Sequence, residues 1–277
     1  MKKTKKKTFP YQEISFRASG WMMVFYLGII KYIQENYKIK NLKLSGSSGG
    51  AVSSFMLLCK NIDIDNSVIE LERTNYNTNI FNLCDMVKKN INDHIDFVSN
   101  KLLKNNQLNI TCSCIQNGSI NTIIFNKFNN KNDILHYLKA SVHIPIIGGL
   151  LPYTYDNFYL YDSILTSCHP HITNDCLKIS WNKKCNCNCQ KTLDVINPYV
   201  DIPSTWCIFP PNDCLYDIYI HGYYQAILFF ENRHDDRNIE IIESLQKKIN
   251  KNINNSYLSM MTIFSILSLL CIKIIRR

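Results

Sequence analysis

The five residues Gly46-Ser47-Ser48-Gly49-Gly50 constrain this chain more than any others. They lie between a short strand-like segment, Asn41 to Leu44, and an apolar, helix-compatible run, Ala51 to Leu58. A strand that turns directly into a helix through a G-x-S-x-G pattern needs small neighbours around the central serine, because a side chain there would clash with the strained backbone. Ser48 would project its hydroxyl at the start of the following helix, where free N–H groups and the helix dipole favour developing negative charge. The same five residues also suit a phosphate-binding turn or a plain flexible loop. No lysine follows the last glycine, which disfavours a P-loop.

The surrounding pattern supplies a context. Ile14-Ser15-Phe16 reads as a short buried strand. From Gly20 to Glu35, Trp21, Val24, Phe25, Gly28, Ile29 and Tyr32 recur at helical spacing. Strand, helix, strand, turn and helix in succession predict an α/β domain with parallel strands. Further on, Asp133 to Val142 predicts a helix capped by Asn132 or Asp133, and Pro152 to Tyr161 a hairpin that turns at Asp156-Asn157. Leu177 to Trp181 reads as a strand, and Asp213 to Phe230 and Asp236 to Asn250 as helices. The polar, Cys-rich stretch 182–205 reads as a loop insertion. No internal repeat is present.

Composition limits the remaining possibilities. With 277 residues, 46% of them hydrophobic, the chain can bury a real core. Part of the net charge of +9 sits in the run Lys2 to Lys7. That run is either a solvated tail or an attraction to an anionic membrane surface, each lysine near the surface contributing on the order of 1 kcal/mol. No basic stripe with interleaved aromatics follows, so nucleic acid is not an expected partner. The basic start runs straight into polar Thr8 to Glu13 without a signal-peptide core, which predicts a domain facing the cytosol. Cys185, Cys187 and Cys189 form a C-x-C-x-C cluster with Cys168 and Cys176 upstream, but the spacing does not match zinc knuckles, and no metal is expected.

The C-terminus differs from the rest. Tyr257 to Ile272 is 16 residues without a charge. At ~1.5 Å each they span roughly 24 Å, and they fit a hydrocarbon core if Lys273 snorkels. A buried core helix is the alternative. Ser259, Thr262, Ser265 and Ser268 form a small-residue stripe suited to packing in a bilayer. The expected organisation is a basic tail at 1–10, one domain at 11–235, a polar helical linker at 236–256 and a membrane anchor at 257–275.

A serine nucleophile needs a base. Asp162 followed by His169 or His171 satisfies the Asp-then-His order of an α/β-hydrolase triad. The turn at Ser48, however, follows only one earlier strand-helix unit, which is early for that fold. His94, His136, His143, His221 and His234 have no accompanying motif.

Four stretches, taken together, resemble the patatin-like phospholipase family, and its adipose triglyceride lipase and adiponutrin branch most closely. Ile14 to Trp21 with Tyr26-Leu27-Gly28-Ile29 resembles the opening strand, glycine-rich loop and first helix. The Gly46 to Gly50 turn continues into Ala51-Val52 as in the family. Ala140 to Pro145, Gly149 to Pro152 and Tyr159 to Asp162 resemble the approach to the family's catalytic aspartate, and Pro170 stands where the family has a proline. Phe209-Pro210-Pro211, Gly222-Tyr223 and Phe229-Phe230 resemble a downstream helix. The resemblance spans about residues 12 to 232. It implies a three-layer α/β/α domain with a mainly parallel central sheet, followed by a helical tail. It also implies a Ser48-Asp162 dyad, nucleophile-elbow glycines Gly46 and Gly50, and an oxyanion hole from the Ala18-Ser19-Gly20 backbone. The implied reaction is hydrolysis of fatty-acyl esters of a glycerolipid at a membrane or lipid-droplet surface, of phospholipase A or acylglycerol lipase type, without a cofactor. The chain departs from the family pattern at Ala18, at Met23 and at Asp162-Ser163-Ile164, where the family has glycine or small residues. These departures motivate the alternative of an inactive, membrane-anchored lipid-binding or interaction module.

Overall fold

The computed structural model describes residues 6–59, 62–77, 83–97, 106–167, 169–183 and 194–252. Ten strands occur among them: β1 (Lys7–Thr8), β2 (Glu13–Phe16), β3 (Tyr37–Lys38), β4 (Lys43–Ser47), β5 (Leu108–Gln116), β6 (Ser119–Phe125), β7 (Tyr153–Tyr155), β8 (Phe158–Tyr161), β9 (Cys176–Ile179) and β10 (Val195–Ile196). The helices are α1 (Met23–Asn36), α2 (Gly49–Leu58), α3 (Ile64–Asn77), α4 (Leu83–His94), α5 (Lys131–Ser141), α6 (Leu215–Glu231) and α7 (236–252).

The central sheet has the order β10-β9-β2-β4-β5-β8-β7, with β6 also paired to β5. From β10 to β5 every pairing is parallel, while β5 to β6, β5 to β8 and β7 to β8 are antiparallel. The domain is thus α/β with a parallel centre and an antiparallel edge. Side chains alternate across a strand. One face carries Ile14, Phe16, Leu44, Leu108, Ile110, Leu160, Leu177 and Ile179, all buried, and receives helices. The other carries Glu13, Ser15, Ser45, Ser47, Asn109, Thr111, Ser113 and Lys178, also all buried. The third layer, over this polar face, is built around the 3-10 turn Ser163–Leu165 and the residues after it.

Several boundaries differ from the sequence expectation. The helix expected from Asp133 starts at Lys131, because the Asn130 side chain caps it by accepting from the Asp133 N–H at 3.1 Å. The antiparallel pair β5–β6 was not expected, although its turn, Asn117-Gly118, carries the signature of a two-residue hairpin with both φ angles positive. The hairpin at Asp156-Asn157 forms, again with both φ positive. Val195–Ile196 adds a sheet strand within the stretch expected to be a loop. Residues 7–9 are not a free tail: β1 pairs with β3, and buried Phe9 packs on Tyr37 and Phe230. Residues 236–252 form the expected helix, and it packs on the domain, with Leu245 and Ile249 in the core and Lys248 paired with Asp217 at 2.9 Å. Among the described residues no helix is long and apolar enough to cross a membrane. The anchor expected at 257–275 lies outside the described residues, as do Cys168, Cys185, Cys187 and Cys189.

Helices α1 and α6 press together at two glycines. A Cβ on Gly28 would strike the Tyr219 carbonyl, and one on Gly222 would strike the Phe25 carbonyl. The helices can approach this closely only while both positions lack a side chain. Gly222→Val is therefore expected to destabilise the fold by about 3 kcal/mol, the cost of overpacking a rigid contact, as a lowered midpoint in urea unfolding.

Candidate active site

The site forms where β4 and β8 end on either side of β5. Ser48, directly after β4, caps the N-terminus of α2 with φ +54° and ψ −127°, a conformation costly for any non-glycine residue. The strain is held by close packing. A Cβ on Gly46 would meet the backbone of Gly50 and Ala51, and one on Gly50 would meet the carbonyls of Phe16 and Arg17. Ser141 fixes the turn from the other side, accepting from the Ser48 N–H at 3.0 Å and donating to the Thr111 carbonyl at 2.7 Å. The elbow glycines expected from the sequence thus carry the close approach that the turn requires.

Asp162 follows β8 and is fully buried. Its Oδ2 accepts from the Ser48 hydroxyl at 2.7 Å, and its Oδ1 accepts from the Ile164 N–H at 2.8 Å. Burial pushes its pKa up to about 7, against the lowering effect of the Ser48 and Ile164 hydrogen bonds. The structure brings Ser48 and Asp162 into direct contact with no histidine between them. His169, placed by the triad alternative beside the serine, is buried with Nε2 against the Ser15 carbonyl at 3.1 Å, and burial drives its pKa down to about 3. His171 is half-buried near Lys178 and Glu13, and burial lowers its pKa as well.

The Ala18-Ser19-Gly20 loop lies against the elbow. A Cβ on Gly49 would meet the Ser19 hydroxyl and, at 2.9 and 3.1 Å, the Gly20 carbonyl and amide nitrogen. The N–H groups of Ser19 and Gly20 have no acceptor among the described residues. The loop is braced on both flanks. The Trp181 indole donates to the Ala18 carbonyl at 2.7 Å, and the Cys207 carbonyl abuts Gly20, which sits at φ +51°. Ala18, Ser163 and Ile164 are accommodated without backbone strain. Ala18 is absent from the positive-φ positions, so its methyl introduces no strain. Ser163 turns inward to bond the Ser47 hydroxyl, and Ile164 points outward, 58% exposed, away from the dyad.

Beside Ser48 a pocket of about 440 Å³, counted to its open mouth, is lined by Trp21, Met23, Leu71, Cys84, Val87, Val142 and Ile144. Leu71 and Val87 come from α3 and α4, where helical spacing of apolar residues is the only signal the sequence carries for them. Next to the pocket, the turn 144–151 is pinned by His143, whose Nε2 bonds the Leu151 carbonyl at 2.9 Å, and by Tyr161, which donates to the Leu150 carbonyl at 2.8 Å. The turn leaves Leu150 63% and Leu151 79% exposed, and Ile164 and Leu165, shortly after Tyr161 in the chain, are exposed as well. Among the described residues no group of three His, Cys, Asp or Glu is placed to hold a metal ion.

No protein-family model matches the chain. No curated protein matches it either. Among solved structures, VipD from Legionella pneumophila is similar over 89% of this chain and 77% of its own, at 13% identity and a TM-score of 0.47.

The raised Asp162 pKa has a consequence for stability. Asp162 holds its proton more tightly in the folded than in the unfolded chain, so its stabilising contribution is complete below the unfolded value and lost as pH rises through about 7. The cost at high pH is on the order of 4 kcal/mol. Buried His169 and His221 act in the opposite sense at lower pH and cancel on subtraction. The stability of Asp162→Asn relative to the parent is therefore expected to rise between about pH 4 and about pH 7 and to level off above. A flat difference in thermal unfolding would contradict the perturbed carboxyl.

Proposed function

We propose that this protein is a patatin-like lipid acyl hydrolase that cleaves fatty-acyl esters of glycerolipids. The observation that carries the reading is the 2.7 Å hydrogen bond from Ser48 on a strained elbow to buried Asp162. Asp162, once ionised, takes the hydroxyl proton as Ser48 Oγ attacks the ester carbonyl. The oxyanion of the tetrahedral intermediate forms beside the Ser19 and Gly20 N–H groups and the start of α2, where such donors contribute about 2.7–4 kcal/mol each to the lowered barrier. Asp162 then protonates the departing alcohol and leaves an acyl group on Ser48. Water attacks that ester, Asp162 accepts its proton, and the fatty acid leaves as the proton returns to Ser48.

An apolar substrate suits the pocket wall, and a lipid surface suits its surroundings. Leu150, Leu151, Ile164 and Leu165 expose apolar area that would enter the boundary of a membrane or lipid droplet while Ser48 faces it. Membrane association with the domain on the cytosolic side belongs to the same proposal. Ala18, Ser163 and Ile164 motivate the inactive alternative; the 2.7 Å contact of Ser48 with Asp162 favours the hydrolase.

A fluorophosphonate probe is expected to label the protein at Ser48 and to leave Ser48→Ala unlabelled. A folded parent that resists the probe would overturn the hydrolase reading. Leu151→Asp is expected to retain turnover of a short soluble ester while losing about tenfold in binding to phospholipid vesicles, since burying a leucine side chain contributes ~1.5–3 kcal/mol. Unchanged vesicle binding would remove this rim from the lipid-facing surface.

A further inference from the structure

The dyad stands at the C-terminal ends of the parallel strands. At their N-terminal ends lies a second concavity of about 600 Å³, counted to open solvent, between β1, the residues leading into β2 and the β3–β4 connection. Buried Phe9 and Leu42 line it together with Tyr11, Gln12, Asn41, Lys38, Lys40 and Lys43. The connection turns at Asn41, which sits at φ +65°, and this reversal gathers the three lysines around one cavity. All three are exposed, and none has an ion-pair or side-chain hydrogen-bond partner among the described residues. The lining contains no carboxylate. Asp175 and Asp194 border the cavity without lining it, and each accepts from a lining residue, Asp175 from the Gln12 N–H at 3.2 Å and Asp194 from the Tyr11 hydroxyl at 2.6 Å. Lys7 on β1 adds positive charge at the same end.

Cations gathered around a concavity raise the local concentration of anions. Ammonium groups act as point-charge partners of phosphate, and amides such as Gln12 and Asn41 supply neutral donors. Three lysines in a lining that holds no carboxylate match a ligand with at least two negative charges. We propose that this cavity binds a multiply charged phosphate ester, held by Lys38, Lys40 and Lys43. The strand β4 separates it from Ser48 by roughly 16 Å, at ~3.3 Å per residue, so it does not receive the head group of a lipid reacting at Ser48. The ligand source is either a soluble phosphate ester or the phosphorylated head group of a membrane lipid.

The test uses the full chain carrying Ser48→Ala, so that the outcome is independent of the hydrolase reading. Calorimetry measures binding of pyrophosphate and inositol hexakisphosphate, and co-sedimentation measures binding to phosphatidylcholine vesicles with and without phosphatidylinositol bisphosphate. Dissociation constants are expected to rise at least about tenfold in Lys38→Gln/Lys43→Gln, the scale of one lost charged hydrogen bond. They are expected to be unchanged in Lys89→Gln/Lys127→Gln, which removes two exposed lysines outside the cavity. Lysine-dependent binding of the soluble phosphates would identify a soluble ligand. The same dependence seen only on the phosphoinositide vesicles would identify a lipid head group. Equal weakening by both double variants, or no binding of any probe by a parent with unaltered thermal unfolding, would overturn the proposal.

Discussion

The Ser48–Asp162 hydrogen bond joins residues 114 positions apart and depends on the register of three strands. Ser47 stands beside Thr111 on β5, and Tyr161 stands beside Ser113 two residues further along the same strand. The strand β5 is therefore the spacer that sets the distance between nucleophile and carboxylate. A slip of one residue in either pairing would turn the adjoining side chains to the opposite face and part the dyad. The Ser113 hydroxyl guards the register, donating to the Asp162 carbonyl at 2.9 Å.

The same register creates an unusual sheet face. Parallel strands covered on both sides commonly read as continuous apolar runs. Here Glu13, Ser15, Ser45, Ser47, Asn109, Thr111 and Ser113 are internal, and such groups are costly to bury without partners. The residues after Asp162 supply many of those partners. Glu13 accepts from the N–H groups of Ile172 and Thr173, Ser15 donates to the Pro170 carbonyl, and Ser47 donates to the Ser167 carbonyl at 2.7 Å. The polar face thus fastens the segment that begins with Asp162, and the network that satisfies the sheet also immobilises the base. Apolar packing of α1 on α6 holds the opposite side rigid.

The sequence disclosed the local features of this design and little of its assembly. The elbow was legible because Gly46, Ser48 and Gly50 answer a steric demand confined to five residues. The Asp156-Asn157 hairpin was legible for the same reason. The alternation in Glu13 to Phe16 and Leu108 to Cys114 cannot be distinguished by periodicity from a strand with one wet face, yet both faces are buried. Short strands such as Val195–Ile196 carry too few residues for a pattern. Within the site, Ser48 and Asp162 could be named from order and resemblance, whereas Ser141 could not, since a serine at the end of a helix reads as ordinary until the fold places it under Ser48. Leu71 and Val87 became pocket residues only through the packing of α3 and α4.

In the proposed mechanism Asp162 acts as the base without a histidine. The most direct test is the pH dependence of kcat/KM for a soluble ester in the parent, Asp162→Asn and His169→Ala. Activity is expected to rise with pH to a plateau with a midpoint at about 7, the value to which burial pushes the Asp162 carboxyl. His169→Ala is expected to keep this profile, and Asp162→Asn to lose turnover at every pH. Full activity in Asp162→Asn, or loss of activity confined to His169→Ala, would contradict a histidine-free dyad.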